Sequence, residues 1–168
     1  TILVFVFPYR NKDLESEKFK VAKFAYGKDY HQVIASELEK VAKELDLKEY
    51  QVLVDNSFLD EKLCAVLAGL GSMGRNDLLL TPEFGSFVFL GTIVTASEFS
   101  RTETIQPSLC QDCSLCISAC PTGALDMQFN KQLCLSYLSQ SKSDNYPLYD
   151  LMERVVGCDL CLDACPFN

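Results

Sequence analysis

Cysteine spacing limits what this chain can fold into more than any other feature. Cys110-Gln111-Asp112-Cys113-Ser114-Leu115-Cys116-Ile117-Ser118-Ala119-Cys120-Pro121 spells Cys-x2-Cys-x2-Cys-x3-Cys-Pro. Near the C-terminus, Cys158-Asp159-Leu160-Cys161-Leu162-Asp163-Ala164-Cys165-Pro166 repeats the x2, x3, Pro rhythm with one cysteine missing from its front. In this spacing three thiolates wrap one face of a [4Fe–4S] cubane, and the fourth, ahead of the proline, serves a second cluster. Cys134, between the runs, makes up the number. Crossing the runs gives Cys110, Cys113, Cys116 and Cys165 on one cluster and Cys120, Cys134, Cys158 and Cys161 on the other, which uses eight of the 9 cysteines. Structural zinc also takes four thiolates from Cys-x2-Cys pairs, but its knuckles contribute separate pairs, without a third cysteine in step or the Cys-Pro ending. Disulfides fit less well, because no signal peptide is read and cysteines at ligand spacing belong to a reducing compartment. Cys64, in the apolar run Leu63-Cys64-Ala65-Val66-Leu67, reads as a buried small hydrophobe.

The 168 residues are 48% hydrophobic and 23% charged, enough for one sizeable core and a small appendage. The longest apolar runs are strand-sized, so no membrane span is expected. The net charge of −8 disfavours phosphate neutralisation and suits a cytoplasmic electron carrier.

In chain order, Thr1 to Phe7 is a continuous β-branched and aromatic run, expected as a central strand buried on both faces and stopped by Pro8. A chain opening inside such a strand reads as N-terminally incomplete. Asn11 to Lys18 is charged and solvated, and Phe19 to Tyr26 permits a second strand ended by Gly27. Asp29 can cap a helix reaching about Leu47, with Val33, Ile34, Leu38, Val41, Ala42 and Leu45 at helical spacing. Tyr50 to Val54 reads as a strand closed by Asp55, and Glu61 to Gly69 as a helix. Leu78 to Leu80 and Ser86 to Thr95 read as strands around a Pro82/Gly85 turn. Interleaved strands and helices give an α+β fold of about one hundred residues, 1–105, ahead of a double-cluster segment, 106–168. Gly69, Gly71 and Gly74 form Gly-x-Gly-x-x-Gly, yet the loop follows a helix and leads to a strand, the reverse of a dinucleotide fingerprint.

Several motifs occur in one order along nearly the whole chain. They are Asp29-Tyr30-His31, Val54-Asp55-x5-Glu61-Lys62, Ala68-Gly69-Leu70-Gly71-x2-Gly74-Arg75-Asn76 and Gly85-Ser86-x3-Leu90-Gly91. After them come the first cysteine run with Pro121-Thr122-Gly123-Ala124, Cys134-x-Ser136-Tyr137-Leu138, and Gly157-Cys158-Asp159 with Cys165-Pro166-x-Asn168. Their order resembles the epoxyqueuosine reductases, cobalamin-dependent iron–sulfur enzymes of queuosine biosynthesis related in build to reductive dehalogenases. The resemblance implies a nitroreductase-like α/β sandwich that holds cobalamin against a bacterial-ferredoxin-like double [4Fe–4S] domain. It also implies a short form without the C-terminal helical repeats of longer members. Electrons would pass through the clusters to cobalt while a carboxylic acid protonates the departing epoxide oxygen.

Position by position, Asp55 matches the family's proton donor. Ala22, Leu79 and Leu90 fall on its cobalamin contacts, and Ser136, Cys158 and Asp159 on further contacts beside the second cluster. From the residues alone, Asp55 could equally cap the next turn, Ser136 cap a helix, and Asp159 be a solvated loop acid. His31, the only histidine, is read as structural and given no ligand role. The chain departs from the family pattern at Phe58, Ser72 and Arg75, where the family has proline, tryptophan and lysine. The implied partners are an external electron donor of flavodoxin or ferredoxin type and a tRNA substrate that the acidic charge supports poorly. Two other classes remain open: a ferredoxin-like electron carrier without cobalamin and a zinc-stabilised interaction domain.

Overall fold

The computed structural model describes residues 1–9, 20–55, 57–100, 106–141 and 148–168. The fold is built on β1 (Ile2–Pro8), α1 (Tyr30–Glu44), β2 (Tyr50–Leu53), α2 (Glu61–Leu67), the short pair β3 (Ser72–Met73) and β4 (Leu79–Leu80), and β5 (Val88–Thr95). After β5 there is helix but no further strand among the described residues: α3 (Leu115–Ala119), α4 (Leu135–Gln140) and α5 (Leu160–Asp163).

The run from Ile2 to Phe7 does form a strand, but not a central one. The sheet order is β1-β5-β2 with both pairings antiparallel, so among the described strands β1 is an edge, and its residues are half-buried rather than enclosed. Alternation explains this. Leu3, Phe5 and Phe7 pack on a core of Ile34, Leu38, Ala42, Leu47 and Ile93, and among the described residues β1 also meets the short α2. The apolar stripe of α1 is also narrower than its sequence, because Val33 and Leu45 are exposed.

The second strand expected at Phe19 to Tyr26 is reduced, within the described residues, to one bridge between Val21 and Val156 and a 3₁₀ turn at Lys23–Ala25. Those contacts tie the segment to the C-terminal run: the Ala22 N–H donates to the Val156 carbonyl at 2.8 Å, and the Val155 N–H to that of Lys20 at 2.8 Å. Gly157 permits the close approach, since a Cβ there would run into Ala22 and Phe24.

The glycine loop at 69–74 ends α2. Gly69 has φ 76°, and the Leu70 and Gly69 N–H groups donate back to Ala65 and Val66 as in a Schellman ending, after which the chain enters β3. It therefore opens no helix and offers no N-terminus to a pyrophosphate. Cys64 is half-buried, because in the short α2 Ala65 takes the fully buried seat. No helix among the described residues is long and apolar enough to cross a membrane.

Candidate redox site

Two short helices, α3 just after Cys113 and α5 opening between Cys158 and Cys161, pack against each other and carry Cys116 and Cys161. One narrow recess is lined by Cys110, Cys113, Cys116 and Cys165 together with Gly74, Arg75, Ser86 and Phe167. A second cavity, of about 490 Å³, is lined by Cys120, Cys134, Cys158 and Cys161. The two crossed sets read from the spacing are thus the sets that share a wall. Among the described residues no three His, Cys, Asp or Glu side chains close on one ion position; the thiols stand around larger spaces.

The surroundings fit an all-thiolate cluster. Burial, then the neighbouring Cys158, Cys134, Cys116 and Cys120, push the Cys161 thiol up to about 12, so this thiol ionises only against a bound cation. In the first recess the Arg75 N–H donates to Cys110 Sγ at 3.4 Å, its guanidinium donates to the Cys113 carbonyl at 3.0 Å, and the buried Ser86 hydroxyl has no other partner. Amide and hydroxyl donors around sulfur are what tunes such clusters.

Asp159, 1% exposed, anchors the second set from behind. Its carboxylate accepts the Lys23 N–H at 2.8 Å and lies 3.7 Å from Arg154, whose guanidinium also reaches Asp163 at 3.2 Å. Burial raises the Asp159 pKa, while the Lys23 amide and the Arg154 charge pull it back. This burial sets aside the solvated-loop reading. Ser136 sits in the first turn of α4, whose N-cap is Cys134, and lines the same cavity.

Asp55 faces that cavity from the far side, along with Tyr9, Phe24, Tyr30 and Phe89. It also lines an adjoining recess of about 630 Å³ with Leu79, Leu90, Glu61 and Lys62. Of the positions matched by resemblance, Asp55, Ser136, Cys158 and Asp159 therefore meet in one cavity, and Leu79 and Leu90 join Asp55 in the next. Ala22 lines neither; it is 0% exposed and packs behind the wall against Gly157.

Asp55 has φ 57° and caps no helix, since the N-cap of α2 is Asp60. A non-glycine residue in the left-handed region is held there by its contacts. Tyr30 donates its hydroxyl to Asp55 Oδ2, and His31 Nε2 lies 3.1 Å from the same oxygen. Tyr30 is itself stacked on Phe89, with centroids 4.0 Å apart. This frame was missed in the sequence; Asp29-Tyr30-His31 was visible as a motif, but nothing in the spacing brings it to Asp55.

Glu61 was missed too. Burial, then the charge of Asp55, raise its pKa from 4.5 to about 7, and its Oε1 is buried without a partner beside the recess. A carboxyl raised on folding binds more protons folded than unfolded between those values, so its contribution to stability falls as pH rises from about 4.5 to about 7. Glu61→Gln is expected to flatten that slope by about 1 kcal/mol, discounted for partial solvent screening, in urea titrations across the window.

Comparison with known proteins gives the same picture. Residues 1–56 match the family model "Epoxyqueuosine reductase QueG, DUF1730", and residues 109–168 match "4Fe-4S double cluster binding domain". The epoxyqueuosine reductase of Prochlorococcus marinus (strain NATL2A) is 32% identical over 170 residues, covering 95% of this chain and 54% of its own length. The chain is similar to the epoxyqueuosine reductases along nearly its whole length. It spans about half the length of the curated relatives it matches. A crystal structure of an epoxyqueuosine reductase with a tRNA-Tyr epoxyqueuosine-modified stem loop superposes with a TM-score of 0.87 at 32% identity, covering 99% of this chain and 48% of that one. The Bacillus subtilis epoxyqueuosine reductase with its catalytic loop swung out of the active site gives 0.84 at 30% identity, over 99% and 47%. The double-cluster match carries two [4Fe–4S] clusters with it.

Proposed function

We propose that this chain passes electrons through two [4Fe–4S] clusters to a cobalamin and, with Asp55 as proton donor, removes the epoxide oxygen of epoxyqueuosine in tRNA. Residues 1–105, as a nitroreductase-like sandwich, would hold the cobalamin, and residues 106–168 the clusters. The observation that carries this reading is the cavity that has Asp55 on one side and the Cys120, Cys134, Cys158, Cys161 set on the other. At about 490 Å³ it lies in the range of small-molecule sites, and it shares Asp55, Lys62, Leu78 and Phe89 with its neighbour. A flat macrocycle fits such a trough: Leu79, Leu90 and Phe89 offer apolar contact, Ser136 hydrogen bonds, and the unpartnered Glu61 Oε1 a seat for an amide. When bound, cobalamin supplies a cobalt centre that takes up single electrons and spends them on a carbon–oxygen bond.

Asp55 would hold the proton that the departing oxygen needs, and Tyr30 would keep its carboxyl turned to the cavity. The electron donor would be of flavodoxin or ferredoxin type, and the compartment the reducing cytoplasm. Epoxyqueuosine in tRNA is named as substrate because a relative of the same build has been crystallised with such a stem loop.

Cob(II)alamin added to the anaerobically reconstituted chain tests the reading. Retention through gel filtration with a perturbed visible spectrum is the expected result. Two low-potential clusters with no retained corrinoid would overturn it in favour of a ferredoxin-like carrier.

A further inference from the structure

His31 is the only histidine of the chain, and its ring stands between two carboxylates. Nδ1 is 2.8 Å from Asp29 Oδ1, and Nε2 is 3.1 Å from Asp55 Oδ2. Asp29 is the N-cap of α1, and its Oδ1 also accepts the His31 backbone N–H at 3.0 Å. The imidazole bond first, and then the backbone bond, hold the Asp29 carboxyl below its usual range. Asp29 is therefore ionised at neutral pH, and an ionised oxygen at 2.8 Å requires a hydrogen on Nδ1.

With Nδ1 protonated, Nε2 has two states toward Asp55. Bare, it accepts the hydrogen of an Asp55 carboxylic acid; protonated, it donates to an Asp55 carboxylate. In both states the two groups hold a single proton between them. Tyr30 fixes the pair from the side: its ring lies 4.0 Å from that of His31, and its hydroxyl reaches the same Asp55 oxygen. The other ionisable groups lining the recess with Asp55 are Asp60, Glu61 and Lys62, and Lys62 is taken up by Asp77 at 2.5 Å.

We propose that Asp55 and His31 act as a one-proton pair whose tautomer Asp29 sets, so that His31 reloads Asp55 each time Asp55 gives up its proton. The inference rests on Asp55 being the donor. The balance is simple: Asp55 loses H⁺ to the departing oxygen and becomes a carboxylate, a water-borne H⁺ reaches Nε2 of the partly exposed imidazole, and it passes to Asp55 with no electron moved. His31 is thus a positioning and relay residue that acts through Asp55.

One histidine gives one imidazole signal, so nitrogen NMR of the cluster-loaded, oxidised chain reads the pair without any turnover. The expected result is an Nδ1–H ring in the wild type, an Nε2 shift that moves in Asp55→Asn while Nδ1–H stays, and loss of the Nδ1–H preference in Asp29→Asn. With the cobalamin-loaded protein and an epoxyqueuosine-modified stem loop, His31→Gln is expected to lower turnover by about tenfold to a hundredfold and to lose one limb of the pH–rate profile. An Nε2 shift indifferent to Asp55→Asn overturns the pair. So does a wild-type pH–rate profile in His31→Gln when Asp55→Asn is inactive. Undiminished turnover in Asp55→Asn overturns the donor reading, and this inference with it.

Discussion

Replacing Cys165 with alanine is expected to cost the chain about half its iron, about four of eight atoms, and the cluster lost is the one held by Cys110, Cys113 and Cys116. Cys165 lies only four residues beyond Cys161, yet the two thiols line different recesses, because the turn after α5 carries Cys165, Pro166 and Phe167 to the other side. Double substitutions separate crossed from in-run pairing. Cys165→Ala with Cys110→Ala should lose no more iron than either alone, since both strike one cluster, whereas Cys165→Ala with Cys158→Ala should lose both clusters. Iron and sulfide analysis of the anaerobically reconstituted variants, with EPR of the reduced forms, checks this. The opposite pattern, additive loss in the first pair and none in the second, would mean that each run serves its own cluster.

The grouping of the thiols about two recesses was legible in the sequence because x2 and x3 intervals are short-range constraints that survive any tertiary context. Helix α1 was legible for a related reason, as Asp29 caps it with a side-chain bond to the His31 N–H, whereas the cap of α2, Asp60, was not read from the sequence. The burial of β1 was not. An unbroken apolar run is the same string whether its second face meets a layer of helices or only one short helix, and its place at the sheet edge depends on β5, which follows about eighty residues later. From Phe19 to Tyr26 an apolar pattern suggested a strand, where among the described residues a single bridge from Val21 to Val156 exists, because the partner that decides pairing lies in the C-terminal run. The site divides the same way. Local signals gave the eight thiols, while Tyr30 and His31 at Asp55, and Lys23 at Asp159, are long-range juxtapositions with no local trace.

Asp55→Asn is the second large effect. Asparagine keeps the size of the side chain and a carbonyl that can accept the Tyr30 hydroxyl, so the left-handed turn and its frame survive while the exchangeable proton is gone. Turnover of an epoxyqueuosine-modified stem loop is expected to fall by about 10²–10⁴-fold, the usual contribution of a positioned general acid. Iron content and cobalamin retention should stay at wild-type levels, because the substitution removes no thiol and leaves the apolar floor of Leu79, Leu90 and Phe89 unchanged. Its carboxyl is 47% exposed, so in this arrangement water reaches the proton from one side and His31 from the other. A donor so open works as an acid in the closed complex only when something covers it, and bound cofactor and substrate are the bodies that would do so. Adding substrate to the cobalamin-loaded wild type should therefore slow solvent exchange at the His31 ring N–H groups. If exchange is unaltered and Asp55→Asn still turns over, the proton comes from water and Asp55 serves only the turn.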